Sequence, residues 1–318
     1  MSFSFFAITP LKKPRTECGC HPVVLISSLS VVPPGLFSSA TILSVLVAPR
    51  PTAPFRTVLP DLRDAGFVVF LARHTAPVAP PKATTRKKPA RSVYPRHQPD
   101  FILHTGDLTH LAKAAEFDTL EQILKGFRQK EVFYVPGEHD LTGDDGKEYL
   151  ERFGKSTGGK AWQSFDHKGV HFIGLNNCAQ LEGLGAIGAE QMEWLGKDVA
   201  HISASTPIVV FAHIPLWSVY PEWGWGTKDS AQALSILKRF GSVTVLNGHI
   251  HQVMQKVEGN VTFHSAMSTA FPQPAPGSAP SAGPMKVPAD RLRQVLGVTS
   301  VNVAVGSHHL AIVDTPLG

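Results

Sequence analysis

Cysteine is nearly missing from this chain: Cys18, Cys20 and Cys178 are the only three. So small a number excludes a disulfide framework. It also excludes a four-ligand thiolate clip, because Cys18-Gly19-Cys20-His21 has no second pair to complete a tetrahedral zinc site. Long apolar runs are missing as well. The apolar stretch 23–48 follows Lys12, Lys13 and Arg15, the outline of a weak leader, but Pro33-Pro34 interrupts it and no small-x-small cleavage site follows. No membrane span is expected. The cytoplasm is the default compartment, with export left open.

Other shortages are local. Residues 1–97 hold 3 Asp+Glu against 13 Lys+Arg, and 3 of the 27 glycines, yet 14 of the 26 prolines. The remaining residues carry 17 Lys+Arg against 22 Asp+Glu, so the formal charge of +5 averages two opposite regions. A bare basic run such as Arg86-Lys87-Lys88 could meet nucleic acid, but no ordered motif surrounds it. A solvated segment is the expectation, and no nucleic-acid partner is expected. A nucleic-acid arm would instead show steeply salt-dependent binding that disappears when 1–97 is deleted. Pro80-Pro81, Pro89 and Pro95 break any helix there. Residues 1–97 are therefore read as an irregular, basic, Pro-rich and poorly ordered segment, with one short apolar strand at 67–71. Residues 98–318 are read as one domain.

What is present from Pro99 onward is periodic. Strands are predicted at 100–105, 131–135, 170–175, 207–211, 243–246 and 261–264. Helices are predicted at 111–130, with Phe117, Leu120, Leu124 and Phe127 on one face, and at 189–202, with Met192, Leu195 and Val199 inward. Asp229 is placed to cap a third helix running to Phe240. A Pro/Gly/Ala/Ser loop spans 272–288, and a closing hairpin is predicted from 301–305 and 310–313. Strands alternating with helices imply an α/β fold with helix-covered sheets.

Four of the strands end in groups suited to metal chemistry: Gly106-Asp107, Gly137-Glu138-His139-Asp140, Ala212-His213 and Asn247-Gly248-His249-Ile250-His251. Ligands gather beyond the carboxyl ends of strands in open α/β sheets, so these groups should converge on one rim. Gly106, Gly137 and Gly248 each precede a candidate ligand, where a tight turn favours φ > 0. Imidazole with carboxylate suits Mn, Fe or Zn. Asp107 can bridge two cations, and the His249-x-His251 pair can aim two rings at adjacent ions. His139 can protonate a leaving oxygen, with Asp140 orienting its ring. Most of the other histidines read as structural: His104, His171 and His264 lie inside strands, and His97, His201, His308 and His309 have no partner pattern.

These groups, in this order, resemble the calcineurin-like metallophosphoesterases, whose pattern is D-x-H, G-D, G-N-H-[DE], H and G-H-x-H. The resemblance covers 99–271 and is greatest toward bacterial proteins similar to cyclic-nucleotide phosphodiesterases. It implies a β-sandwich flanked by helices and two divalent metal ions, Mn, Fe or Zn. It also implies hydrolysis of a small phosphodiester or phosphomonoester by metal-activated hydroxide. By position, Asp107 would bridge both ions, Glu138, His213 and His249 would hold one, His251 would bind the other, and His139 would act on the leaving group.

The chain departs from the pattern twice. Glu138 stands where the family has Asn, adding charge and removing an amide donor. The opening D-x-H is absent upstream of Asp107, and the nearest look-alike, ending in His74, has Ala72 at the Asp place. A degenerate, single-metal or inactive binding protein is the alternative reading. The change of character near residue 98 suggests that the first third is not family sequence, as a reading-frame error or altered gene start would produce. Translating all frames upstream of Pro99 tests that, and it fails if no frame yields a strand ending in Asp-x-His. Trp217, Tyr220, Trp223 and Trp225, just after His213, either wall a substrate pocket or pack as an aromatic loop. Oligomeric state is not readable.

Overall fold

The computed structural model describes residues 99–126, 131–304 and 310–318, together with four earlier strands given as elements only. Those four are β1 (Phe3–Ala7), β2 (Cys20–Ser28), β3 (Thr41–Ser44) and β4 (Phe70–Arg73). Cys18 and Gly19 of the cysteine motif, the basic run at 86–88 and His74 lie outside the described residues.

Ten more strands follow: β5 (Ile102–His104), β6 (Val132–Tyr134), β7 (Gln163–His167), β8 (Val170–Leu175), β9 (Ile208–Ala212), β10 (Val243–Asn247), β11 (Met254–Glu258), β12 (Val261–Ser265), β13 (Gly297–Ala304) and β14 (Leu310–Pro316). The helices are α1 (Ala114–Lys125), α2 (Lys147–Phe153), α3 (Ala189–Val199), α4 (Ser230–Leu237) and a short α5 (Leu292–Val295). They build two six-stranded sheets, ordered β14-β13-β1-β2-β5-β6 and β11-β12-β10-β9-β8-β7. Two strands of the first sheet thus come from within residues 1–97. The apolar run read at 67–71 becomes β4, which pairs with β3 in a separate two-stranded sheet rather than joining either large one.

Period-two alternation sorts the strand residues into layers. Leu103, Val135, Phe172, Val209, Phe211, Leu246 and Val301 pack in the core that joins the sheets. Ile102 turns the other way, into a cluster with Phe117, Leu120 and Ile123 of α1. Ile173, Leu175, Ile208, Val210, Val243 and Val245 face Met192, Leu195 and Val199 of α3 and Ala233 and Leu237 of α4. The result is helix, sheet, sheet, helix.

Asp229 does not cap its own helix. Its carboxylate accepts hydrogen bonds from the Ile187 (3.0 Å) and Gly188 (2.8 Å) amides, which fixes the start of α3. A helix start leaves several amides without intrahelical partners, and here the acid of one helix serves its neighbour.

Candidate metal centre

The loops that follow β5, β6, β9 and β10 meet at one rim. Asp107 lies three residues past β5, in the left-handed region (φ 56°), directly after Gly106 at φ 95°. Aspartate tolerates that region better than most residues. A 3-10 turn, Glu138–Asp140, follows β6. The two loops touch so closely that a Cβ on Gly137 would lie 2.0 Å from Asp107 Oδ1, and one on Gly106 would lie 2.5 Å from the Gly137 nitrogen. Gly137 is therefore required by close approach rather than by φ > 0. Gly248 is not in the left-handed region either. His249 (φ 66°) and His251 (φ 54°) adopt that strained conformation themselves. Strain of this kind concentrates at functional sites.

The expectation that Asp140 orients the His139 ring is corrected by the contacts. Buried Asp140 accepts hydrogen bonds from the amides of Leu108 (2.9 Å), Thr109 (2.7 Å) and Gly137 (3.0 Å) and from the Thr109 hydroxyl (3.0 Å). It ties the Asp107 loop to the Glu138 turn. Burial and the charge of Asp107 push its pKa up to about 7, against those donors. The His139 ring instead donates from Nδ1 to the His110 carbonyl (2.8 Å) and stacks on the His110 ring at 5.1 Å. The His139 amide donates to Asp107 Oδ1 (3.2 Å).

His213 is fully buried and donates from Nδ1 to the Thr105 carbonyl (2.6 Å). Its other nitrogen therefore points at Glu138 Oε2 (2.9 Å), Asp107 Oδ2 (3.4 Å) and His249 Nδ1 (3.2 Å). His249 Nδ1 also lies 3.1 Å from Glu138 Oε1. Burial would lower the His213 pKa, but Asp107 and Glu138 outweigh it and hold it well above the ordinary imidazole value. Burial would raise Glu138, but His249 and His213 hold it well below the usual carboxylate range. Burial and Glu138 raise Asp107, and His213 and His139 bring it below its ordinary value. His251 is buried, which drives its pKa down to about 3, and donates from Nδ1 to the Phe271 carbonyl (2.6 Å).

This donor set fits a divalent cation. Glu138 Oε2 is buried without a hydrogen bond, although His213 Nε2 stands 2.9 Å away. Two groups bring three ligand atoms within 4.8 Å of one another: Glu138 with His213 and His249, and Asp107 with Glu138 and His139. His251 joins neither group among the described residues. A backbone carbonyl fixing one imidazole nitrogen so that the other faces the ion is the usual support of a metal-binding histidine.

A family profile described as calcineurin-like phosphoesterase matches residues 84–253, more than half of the 318-residue chain. The chain belongs to the calcineurin-like phosphoesterase family. Its α/β/β/α sandwich is the metallophosphoesterase fold. A 3′,5′-cyclic-nucleotide phosphodiesterase from Nostoc sp. is 26% identical over 179 residues, 55% of this chain and 65% of that protein. Purple acid phosphatase 15 from Arabidopsis thaliana is 33% identical over 93 residues, 28% of this chain and 17% of that protein. The chain thus spans less than two thirds of either curated relative. A dimetal phosphatase from Danio rerio has a similar structure, with a TM-score of 0.44 and 12% identity over 64% of this chain and 77% of that one.

Several supports of this candidate site carry no mark in the sequence. The Thr105, His110 and Phe271 contacts are made by backbone carbonyls, which any residue offers. Thr109 and Asn177 do have side-chain roles, Asn177 bridging to both backbone groups of Ile214 beside His213. A polar residue at the end of an apolar strand was the available signal for Asn177. The aromatic segment resolves toward packing: Trp225 is buried against Trp223, and Trp217 packs on Phe263 of β12.

Proposed function

We propose that this chain is a metal-dependent hydrolase of small phosphate esters, favouring a phosphodiester over a monoester, with its candidate metal ligands and acid all within residues 98–318. The observation that carries the reading is the cage of Asp107, Glu138, His213 and His249, with the His139 ring fixed beside it. The preference for a diester rests on the similarity to the Nostoc phosphodiesterase. A divalent cation held there, Mn, Fe or Zn, would supply polarisation of a phosphoryl oxygen and a water acidic enough to attack at neutral pH.

The chain's own residues hold and orient. Asp107, Glu138, His213 and His249 are the proposed ligands, and His251 is the residue that the resemblance would give to a second ion. The His139 Nδ1 proton sits on the His110 carbonyl, which leaves Nε2 as the ring atom able to deliver a proton to the leaving oxygen. Asp140 acts through the loops it ties together, as a positioning residue.

Hydrolysis of bis(p-nitrophenyl) phosphate and p-nitrophenyl phosphate with added Mn²⁺ tests this. Turnover of the diester should exceed that of the monoester. His139→Ala should lower it about 10²–10⁴-fold, the range for a positioned proton donor. Absence of metal-dependent turnover of either ester would overturn the reading.

A further inference from the structure

Beside the cage lies an aromatic ring. The Phe271 carbonyl accepts the His251 Nδ1 proton, and the Phe271 ring lies against the His251 ring, with centroids 4.5 Å apart and planes tilted by 54°. His251 is near enough to Asp107 for that charge to act on it. Phe271 is only half-buried, so part of it reaches solvent next to the site. Among the described residues it is the carbocyclic ring that meets an imidazole of the candidate site.

The segment that Phe271 opens is uncharged and firmly held. Residues 259–285 contain no Asp, Glu, Lys or Arg. Pro272, Pro274 and Pro276 each fix a backbone angle. The side-chain amide of Gln252, one residue past His251, donates to the Gln273 (3.0 Å) and Pro274 carbonyls. The Met285 amide closes the base of the loop on the Pro272 carbonyl (2.9 Å). Farther along, Gly277 touches half-buried Tyr220, whose hydroxyl would stand 3.3 Å from a Cβ on that glycine. A surface already ordered loses little freedom when a ligand settles on it. The whole segment lies past residue 253, where the match to the family profile ends.

A phosphodiester carries two organic groups. His139 is placed to serve the oxygen of the one that leaves, so the one that stays needs a surface of its own. A planar apolar group gains by leaving water for an aromatic face, and gains nothing from an ionic cage. We propose that Phe271 is a specificity-determining residue of this site, packing against a planar apolar group retained on the phosphorus of a diester, with the uncharged loop 272–277 behind it. This rests on reading the cage as the seat of the phosphoryl group.

Diphenylphosphinate and dimethylphosphinate test this, because both are monoanions shaped like a diester and neither has an ester bond to hydrolyse. Calorimetry measures their binding to the Mn²⁺-loaded full chain. Diphenylphosphinate should bind at least about tenfold more tightly, the size of one aromatic stacking contact. Phe271→Ala should abolish that difference, and Phe271→Tyr should retain it. Circular dichroism checks that the variants are folded. Should the alanine variant not fold, Phe271→Leu takes its place and should shrink the difference about threefold, the part of an aromatic contact that exceeds simple burial. Equal binding of the two phosphinates by the parent overturns the proposal, as do no binding of diphenylphosphinate, an unchanged difference in the folded alanine or leucine variant, or its loss in folded Phe271→Tyr. If the ester assays fail while the phosphinates behave as expected, the proposed function falls and this inference stands. If the esters turn over while the parent binds both phosphinates equally, the function stands and this inference falls.

Discussion

The two sheets are built differently and contribute differently to the site. The second sheet, β7 to β12, comes from one unbroken run of chain, 163–265. The first gathers strands from 3–7, 20–28, 102–104, 132–134, 297–304 and 310–316. The carboxylates, Asp107 and Glu138, follow strands of the first sheet, and the imidazoles His213 and His249 follow strands of the second. Neither sheet alone supplies the full candidate ligand group of Glu138, His213 and His249. The first by itself would crowd two acids together, and it is His213 and His249 from across the interface that hold those acids charged. The site is thus a joint between sheets, and its integrity reports on their packing.

The most forceful way to break this arrangement is on the first-sheet side. Asp140→Ala leaves three buried amides, Leu108, Thr109 and Gly137, without their acceptor. At about 1–3 kcal/mol for a buried group left unsatisfied, a loss of about 4 kcal/mol is expected in urea unfolding, with loss of bound metal. A change confined to turnover, with stability intact, would show that Asp140 acts on the chemistry and not on the loops. Gly137→Ala should follow at about 3 kcal/mol, because its Cβ must displace Asp107, whose Oδ1 is 2.0 Å from the ideal position. Wild-type stability and metal content in that variant would show that the two loops are not held as closely as described.

The same contrast explains what could be read in advance. β8 is found at 170–175 as predicted, and β9, β10 and β12 lie within a residue of expectation, because buried strands of a helix-covered sheet are written as continuous apolar runs. The hairpin β13–β14 was placed but runs longer than 301–305 and 310–313. β7 (QSFDH) and β11 (MQKVE) were missed because they are polar edge strands. α2 escaped for want of length, at seven residues. In the first sheet, β1 and β2 were not foreseen, since their pairing with β13 and β5 joins segments far apart in sequence. The candidate ligands were legible because each lies within a few residues of a strand's carboxyl end. Asp140 was assigned the wrong partner because adjacency to His139 in sequence says nothing of direction. On a 3-10 turn the neighbouring side chains diverge, one toward His110 and the other into the loop.

If the site is a joint between sheets, a cation must stabilise the whole domain. At a free concentration one hundred times Kd, binding to the folded state alone contributes about 2.7 kcal/mol. Chelation should therefore lower the unfolding midpoint as one cooperative transition. Separate transitions for the two sheets on metal removal would show that the ion does not join them.

The smallest effect sharpens the comparison from the second sheet alone. His171 of β8 presents Nδ1 to Asp166 of β7 and Nε2 to Asp198 of α3, each at 2.9 Å. Burial opposes the charged ring, but the carboxylates of Asp198 and Asp166 outweigh it and raise the pKa above 6.5. A raised folded-state pKa means that the native protein binds the proton more tightly than the unfolded chain does. The stabilisation is fully present below pH 6.5 and is lost as pH rises through the folded value. Asp166 is largely exposed (side-chain exposure 80%), so the contribution should stay below about 1 kcal/mol. His171→Gln should therefore be less stable than the parent at pH 6, and the gap should narrow steadily toward pH 9. Because the pair lies wholly within the second sheet and α3, metal content should not change. A gap that widens with pH would mean that the ring is neutral in the folded protein, and parallel loss of metal would mean that the second sheet and the site are more tightly coupled than the contacts indicate.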